Sequence, residues 1–328
     1  MTQFTKLTLS STDVLPNVIV SDLSQWGLIT ATGEQRLSYL QGQLTCDLVG
    51  LEDQQTTWGG YCDPKGKLWS SFQVATKGNS FYFIMRKDVL AISLPELKKY
   101  AVFSKVELTD ASSFCRLFGV AGEQAQAWIN KTFAVNLNDD AVTHLTNGFI
   151  LRLDGETPRF IILLQNSETS LNQISQYLSE AAVDDGSFWD ALDILAGAPI
   201  VAAAMSNTQI PQAFNLQAFG GISFTKGCYT GQETVARAKY RGTNKRALAI
   251  LTGKTQQTVK SGDSIELQLG DNWRSSGKVN LSYRYADGVE LISAVLPNNM
   301  EADSVFQIKD NESQLSLATL PYSLAEEA

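Results

Sequence analysis

The chain has 328 residues, of which 44% are hydrophobic and 18% charged, and a formal net charge of −8. This length is typical of about two or three domains, the composition excludes a disordered chain, and the net charge argues against wholesale binding of nucleic acid. Neither a charged apolar leader nor a long apolar run is visible, and the four cysteines lack CxxC spacing. We therefore expect a cytoplasmic protein without disulfides and without a membrane partner.

The first two-thirds of the chain mixes predicted strands and helices. Residues 81–85 form an apolar run that is typical of a buried strand. The runs 149–154 and 159–164 are separated by a turn that contains Gly and Pro, and they predict a hairpin. Residues 170–182 carry apolar side chains every three or four positions and predict an amphipathic helix.

From about residue 247 the pattern predicts strands only. Residues 264–269 alternate between apolar and polar, and the runs 278–285 and 289–296 flank an Ala-Asp-Gly turn. Several short strands in succession predict a small barrel or sandwich. A domain boundary near residues 235–247 follows from this change of pattern, and such seams are favoured places for ligand pockets.

The only histidine, His144, leads into a predicted strand and has no nucleophile near it in sequence. A Ser-His-Asp triad would have to use this residue, and its placement favours a structural role. Zinc catalysis through several histidines is excluded by the composition.

The chemically richest segment lies just before the predicted boundary. It consists of Lys226, Gly227, Cys228, Tyr229, Thr230, Gly231, Gln232 and Glu233. In an extended segment Lys226 and Cys228 would point to the same face, where the ammonium would favour the reactive thiolate. The two glycines permit a turn or the close approach of a ligand. The alternative is a glycine-rich turn around a structural cysteine, since free cysteine often packs as a small hydrophobe.

The remaining polar residues of this segment have more than one interpretation. Glu233 could pair with Lys226 or Arg237 and thereby orient the loop. For Tyr229, Gln232 and Glu233, support of the loop and direct chemistry both stay open. A basic strip follows, because residues 234–262 contain no acid but seven cations, namely Arg237, Lys239, Arg241, Lys245, Arg246, Lys254 and Lys260. The basic strip suits an anionic ligand or partner, or it is a solvated face.

Residues 226–233 match the signature of the YgfZ-type folate-binding proteins, which are relatives of the glycine-cleavage aminomethyltransferase. The chain resembles that family over essentially its whole length, through the further segments 39–47, 62–67, 98–106, 220–224 and 237–246.

The resemblance implies an α+β fold in which two interleaved ferredoxin-like halves surround a central opening, followed by a C-terminal β-barrel domain. The folate-binding module would comprise residues 1–235 and the barrel residues 236–328. Within the module, the halves would be roughly 1–53 with 109–191, and 54–108 with 192–235.

The resemblance also implies a function and a cofactor. It implies binding of tetrahydrofolate and maintenance of iron–sulfur enzymes, notably tRNA methylthiotransferases, with a link to replication initiation. Trp26 and Trp189 match the family's folate-contacting positions, where an indole would stack on a ring of the ligand. Without the resemblance, each tryptophan would be interpreted as a core residue. The basic strip could receive the anionic glutamate tail.

Two departures from the enzymes of the family argue against aminomethyl transfer. Their paired aspartates have no counterpart in residues 65–71, and Gln212 and Ala213 lie where those enzymes have a glutamate that holds the pterin. We therefore expect an accessory factor with Cys228 and Lys226 as catalytic residues and without a resident metal, since one cysteine cannot hold a cluster. A non-catalytic folate sensor that acts on a protein partner is the alternative, and a one-carbon transferase is less favoured.

Overall fold

A computed structural model describes residues 4–242 and 244–324 of the chain. Residues 1–3, 243 and 325–328, which fall within the predicted domains, lie outside the described residues. The strands of the N-terminal part are β1 (Ile19–Asp22), β2 (Trp26–Thr32), β3 (Thr56–Cys62), β4 (Leu68–Lys77), β5 (Ser80–Arg86), β6 (Glu107–Asp110), β7 (Cys115–Ala121), β8 (Val142–Leu145), β9 (Gly148–Leu153), β10 (Arg159–Gln165) and β11 (Ala182–Asp184). The α-helices are α1 (Arg36–Gln41), α2 (Lys87–Ala101), α3 (Ala125–Phe133), α4 (Glu168–Ser175), α5 (Ser187–Leu195) and α6 (Gln232–Tyr240).

These strands form two sheets that interleave along the chain. The first sheet has the order β11-β1-β7-β10-β9-β8, and the second has the order β3-β4-β5-β2-β6. A tight turn after β1, closed by a hydrogen bond from Trp26 N–H to the Leu23 carbonyl, sends the chain into the second sheet. The second sheet is completed by β6, and the chain then returns to the first sheet as β7. The predicted α+β fold with interleaved parts is confirmed.

The sheets divide the chain at other positions than the predicted halves. Strand β2 pairs with β5 and β6, so the second sheet takes strands from residues 26–110. The halves predicted from the resemblance assigned residues 26–32 to the part that contains the first sheet. The chain changes sheets at the three-residue link between β1 and β2. The sequence pattern carries no signal of this change, and the predicted halves therefore kept both strands together.

Local predictions were confirmed where the turn chemistry was clear. Strands β9 and β10 pair antiparallel as the predicted hairpin. The helix predicted over residues 170–182 was wrong at its end, because α4 stops at Ser175 and a short 3₁₀ turn follows at Leu178–Glu180. Residues 182–184 form β11 instead and pair parallel with β1. Tertiary pairing thus overrides the helical pattern at these residues.

The C-terminal strands close into a six-stranded barrel with the order β12-β15-β14-β13-β16-β17. Their bounds are β12 (Arg246–Thr255), β13 (Ser264–Leu269), β14 (Asn272–Arg284), β15 (Val289–Pro297), β16 (Val305–Ile308) and β17 (Ser313–Ala318). Pairing of β17 with β12 closes the barrel and leaves no exposed edge. The barrel and the β14–β15 hairpin were both predicted.

One apolar cluster joins both sheets, α5 and the barrel. Phe188 on α5 is fully buried, and its ring lies edge-on to Tyr283 of the barrel at 5.4 Å. Burying one such side chain stabilises the fold by about 1.5–3 kcal/mol. This cluster therefore fixes α5 between the sheets and the barrel. No helix among the described residues has the length and apolar character needed to cross a bilayer.

Candidate functional site

Three segments that carried the resemblance meet in space around the start of α6. Thr230 N–H donates to the Gly42 carbonyl at 3.1 Å, and the Thr230 hydroxyl donates to Gln43 Oε1 at the same distance. The residues before α6 therefore lie against the end of α1. Gln212, which is buried, donates from its amide to the Val235 carbonyl at 2.7 Å and anchors α6 from the other side.

The two glycines of the motif have different roles. Gly231 has a φ of +83° and precedes the first residue of α6. A Cβ at this position would lie 2.6 Å from the Asp63 carbonyl oxygen and 3.1 Å from Cys62 Cβ. Gly231 therefore allows the turn at residues 62–67 to approach the α6 terminus, which no larger residue permits. A Cβ at Gly227 would meet no atom of the described residues within 4 Å, so this position is open to them.

The Lys226 ammonium is bound to main-chain oxygens. Lys226 Nζ donates to the carbonyls of Leu44 at 2.9 Å and Cys46 at 2.6 Å, and it lies 5.3 Å from the centre of the Tyr229 ring. Burial lowers the pKa of this lysine. The backbone bends at residues 224–227, so the extended geometry from which Lys226 and Cys228 were expected to share a face is not adopted. Its ammonium ties the loop to residues 44–46, and a catalytic role for it stays a prediction.

Cys228 is exposed, whereas Cys46 and Cys62 are buried and Cys115 is half-buried. Burial raises the pKa of Cys46 to about 12 and also raises the pKa values of Cys62 and Cys115. These three thiols are therefore poor nucleophiles near neutral pH. Cys228 is the most exposed of the four thiols, and its chemical role stays a prediction.

The other polar residues of the motif support the loop and α6. Tyr229 is buried, which raises its pKa, and its carbonyl accepts the N–H of Gln232 at 3.1 Å. Glu233 forms an exposed ion pair with Arg237 one turn further along α6. Of the two partners proposed for Glu233, the structure therefore has Arg237. An exposed pair of this kind adds little to stability.

A narrow cavity lies between the two sheets, and we call it the Trp26 slot. Its walls include Trp26, Trp58, Gln73, Arg159, Asp193 and Phe219. Trp26 and Trp58 belong to the second sheet, Arg159 opens β10 of the first sheet, and Asp193 lies on α5. The slot has a cavity volume of about 10 Å³, about the room that a single water molecule needs. No residue of the 226–233 loop lines it.

The slot walls contain polar atoms without partners. Among the described residues, Trp26 Nε1 and Asp193 Oδ2 are buried and have no hydrogen-bond partner. Its other oxygen, Asp193 Oδ1, accepts a hydrogen bond from Arg159 Nη1 at 2.7 Å, and both side chains are at most 4% exposed. Burial outweighs the effect of Arg159 and raises the pKa of Asp193 to about 6. Asp193 therefore presents one anchored and one unpartnered oxygen.

Trp189 is fully buried and does not line the Trp26 slot. Its ring covers Gly119 of β7, where a Cβ would lie 2.4 Å from the ring carbons. The Arg159 guanidinium lies 5.7 Å from the centre of the same ring. Trp189 and Asp193 are four residues apart on α5 and therefore share a face. In this structure Trp189 supports Arg159 from behind the slot, and its predicted contact with a ligand stays a prediction.

A wider cleft adjoins the slot through Trp26, which lines both. The cleft has a volume of about 300 Å³, and its walls include Lys87, Arg116 and Cys115. Lys87 is the exposed first residue of α2, while Arg116 is held by Asp22 at 2.9 Å. Asp22 also lines the cleft and offsets the charge of Arg116, so Lys87 at the helix N-terminus is the cation best placed to meet an anionic group.

Three residues that line the slot, Trp58, Arg159 and Asp193, were not singled out by the sequence analysis. A separation of 34 residues lies between Arg159 and Asp193, and no periodic pattern links them. A detectable signal was the placement of an Asp inside the apolar helix that carries Trp189. His144, in contrast, lies on β8 and bonds through Nε2 to the Asp53 carbonyl at 2.8 Å, in keeping with a structural role. Within the described ranges, no three acidic, cysteine or histidine residues are arranged to hold a metal ion.

Comparisons with known proteins agree with this architecture. Residues 244–311 match the family model "YgfZ, beta-barrel domain". The "tRNA-modifying protein YgfZ" of Photobacterium profundum is 43% identical over 322 residues, which cover 98% of this chain and 96% of that protein. The protein of the same name from Yersinia pseudotuberculosis is 44% identical over 315 residues, covering 95% and 94% of the two chains.

A solved structure shares the fold. The glycine cleavage system aminomethyltransferase T from Bartonella henselae superposes with a TM-score of 0.73 over 94% of this chain and 86% of that chain, at 16% sequence identity. At this identity the likeness concerns the fold alone. The full-length similarity to the two bacterial relatives shows that the chain belongs to the YgfZ family of tRNA-modifying proteins.

Proposed function

We propose that this chain binds tetrahydrofolate in the Trp26 slot and serves as an accessory factor for iron–sulfur enzymes that methylthiolate tRNA. The observation that carries the folate part is the pair of unpartnered buried atoms, Trp26 Nε1 and Asp193 Oδ2, in the walls of one cavity. A buried polar atom that finds neither water nor ligand costs about 1–3 kcal/mol. A ligand that supplies a hydrogen-bond partner to each would recover that free energy.

The residues of the slot fit the chemistry of a pterin ring. Trp26 and Trp58 offer flat apolar surfaces, which favour stacking by about 0.5–1.5 kcal/mol beyond their burial. Asp193 offers a carboxylate oxygen to the amino-pyrimidine edge. The slot is too narrow for a bicyclic ring as it stands, so binding requires its walls to separate. Within the described part of the chain, the Trp26 indole has no hydrogen bond that would resist this movement. Bound tetrahydrofolate would supply a carrier of one-carbon units.

The adjoining cleft fits the acidic end of the same ligand. Trp26 lines both the slot and the cleft, so a ligand whose ring lies in the slot beside Trp26 would extend into the cleft. Lys87 at the N-terminus of α2 and Arg116 then lie in the walls around the glutamate carboxylates. This cleft is better placed for the tail than the basic strip, because the slot and the cleft share a wall.

The exposed Cys228 thiol supports the accessory role. It lies in the loop that the chain shares with the YgfZ family, and the three other thiols are buried or half-buried. Relatives that match over the full chain carry the name "tRNA-modifying protein", which supports a role in tRNA modification for this chain. Its partners would be iron–sulfur enzymes that meet the loop transiently. A link to replication initiation rests on the resemblance alone.

The test is the 2-methylthio content of tRNA, measured by mass spectrometry in a strain that lacks the gene. The strain carries wild-type protein, Cys228→Ser, Trp26→Leu or, as a control, Trp128→Leu, which removes an indole from a different core cluster. We expect wild type and Trp128→Leu to restore the modification, and Cys228→Ser and Trp26→Leu to fail at equal protein levels. Restoration by Cys228→Ser would contradict the thiol role, and restoration by Trp26→Leu would contradict the role of the slot.

A folate-sensing regulator of a protein partner is the second candidate, and one observation favours it. The Lys226 ammonium donates to the Leu44 and Cys46 carbonyls, contacts that fix the loop and are in keeping with a structural role for Lys226. This candidate predicts failure of Trp26→Leu but full restoration by Cys228→Ser. A folate-dependent transferase is less favoured, because the carboxylates expected from the enzymes of the family are replaced at Gln212 and in residues 65–71.

A further inference from the structure

The Trp26 slot has a chemical preference that follows from Asp193. A carboxylate that keeps one oxygen for an arginine and leaves the other without a partner can accept hydrogen bonds only from a donor that enters the cavity. Asp193 is in this state, with Oδ1 bonded to Arg159 and with Oδ2 buried and without a partner among the residues that the structure describes. A polar atom this deeply buried is normally satisfied in the folded protein.

Arg159 fixes the position of this carboxylate. Its Nη1 binds Asp193, its Nη2 binds the Asp154 carbonyl at 3.3 Å, and its guanidinium lies over the Trp189 ring. Because Trp189 in turn covers Gly119 with no space to spare, the guanidinium is held from two sides. Trp189 thus positions Asp193 through Arg159.

Trp58 supplies the second aromatic wall. It is 8% exposed, and its ring lies edge-on to Phe219 at 6.0 Å. Trp26 and Trp58 both line the slot, whereas Trp189 does not. A flat ring that enters the slot therefore meets Trp26 and Trp58, and Asp193 lines the same slot.

We propose that Asp193 and Trp58 are ligand-binding residues, and that Asp193 selects rings with a 2-amino-4-oxopyrimidine edge. The amino group and the neighbouring ring N–H of such an edge are both donors, which matches an acceptor-only carboxylate. Pterins and guanine share this edge. The inference rests on the proposed function, which makes the pterin of folate the ligand, and guanosine is tested as the other source.

The experiment compares pterin with lumazine, which carries a carbonyl in place of the 2-amino group. Binding to the full-length protein is measured by fluorescence titration, for wild type, Asp193→Asn, Trp58→Phe and the control Trp128→Phe, which is buried in a different core cluster. Guanosine and tetrahydrofolate are titrated in parallel. We expect wild type and Trp128→Phe to prefer pterin by about ten- to a hundredfold, as for hydrogen bonds to a charged group, and Asp193→Asn to lose the preference. Trp58→Phe should weaken both ligands equally.

The outcomes separate the inference from the proposed function. Equal binding of pterin and lumazine by wild type, or an unchanged preference in Asp193→Asn, overturns the inference while tetrahydrofolate binding keeps the proposed function. Failure of wild type to bind tetrahydrofolate and pterin overturns both, and tighter binding of guanosine than of pterin overturns the assignment to folate. Circular dichroism shows whether Asp193→Asn folds. If it does not fold, the Trp58→Phe variant decides. Unchanged affinity of Trp58→Phe for pterin overturns the inference, and a weaker affinity for pterin and lumazine with an intact preference for pterin supports it.

Discussion

Arg159 and Asp193 form an ion pair at 2.7 Å in which both side chains are at most 4% exposed. The pair connects β10 of the first sheet to α5. Two charges in such surroundings have lost most of their hydration, which a single contact only partly offsets. A charge left behind when one partner is removed is therefore the costly state.

We predict that Asp193→Ala lowers the free energy of unfolding by about 3–5 kcal/mol, because the Arg159 charge would remain buried without its partner. The shift of the urea unfolding midpoint, followed by tryptophan fluorescence, measures this effect. Glu233→Ala is the matched control, since it removes the exposed partner of Arg237 and should leave the midpoint unchanged. Equal midpoints for the two variants would show that the buried pair does not stabilise the fold.

The two motif glycines provide a second prediction. Gly231→Ala should destabilise the loop, because it combines a φ of +83° with a Cβ placed 2.6 Å from the Asp63 carbonyl oxygen. Gly227→Ala introduces a methyl group into open space and should leave stability unchanged. Thermal unfolding of both variants checks this difference. Normal stability of Gly231→Ala would contradict the described approach of residues 62–67 to α6.

The cysteines should differ sharply in reactivity. We expect one fast-reacting thiol per chain with a disulfide reagent at pH 8, because Cys228 is exposed while burial raises the pKa values of the other three. Cys228→Ser should remove the fast phase, and Cys115→Ser should keep it. A fast phase that persists in Cys228→Ser would place the reactive thiol elsewhere.

Binding of the pterin ring should depend on pH through Asp193. Burial raises the pKa of this carboxyl to about 6, against the opposing effects of Arg159 and Arg86 and with the support of Asp190. The acceptor form exists above that pH, so we predict that pterin affinity falls as the pH decreases through about 6. The same raised pKa means that ionisation of Asp193 weakens the folded state as the pH rises from about 4 to 6. Titrations at several pH values check the binding effect, and a profile of the same shape in Asp193→Asn would assign it to another group.

The sequence predicted those parts of the molecule that depend on local chemistry. The β14–β15 hairpin follows from an Ala-Asp-Gly turn between alternating runs. The series of such strands predicted a barrel or a sandwich, and the resemblance indicated the barrel that the structure has. The resemblance placed Trp26, which lines the slot. The sequence around Lys226 does not indicate the partners of its ammonium. The direction of the Lys226 side chain depends on a backbone bend at residues 224–227 and on contact with residues 44–46.

The chemistry of the slot was beyond sequence reasoning for the same physical reason. Asp193, Arg159 and Trp58 come from a helix and from strands of two different sheets. Their proximity is a consequence of the chain order, in which the strands of the second sheet come between β1 and β7 of the first sheet. Long-range packing of this kind leaves no periodic signal at the positions concerned.

The most direct measurement is the calorimetric titration of purified wild-type protein with tetrahydrofolate, beside Trp26→Leu and the control Trp128→Leu. Both variants remove a buried indole, but only Trp26 lines the slot and the cleft. We predict one binding site in wild type and in Trp128→Leu, and an affinity lower by about five- to a hundredfold in Trp26→Leu, as expected for the loss of one aromatic stacking partner. Equal affinity in all three proteins would contradict binding in the Trp26 slot, and no binding to wild type would contradict folate as the ligand.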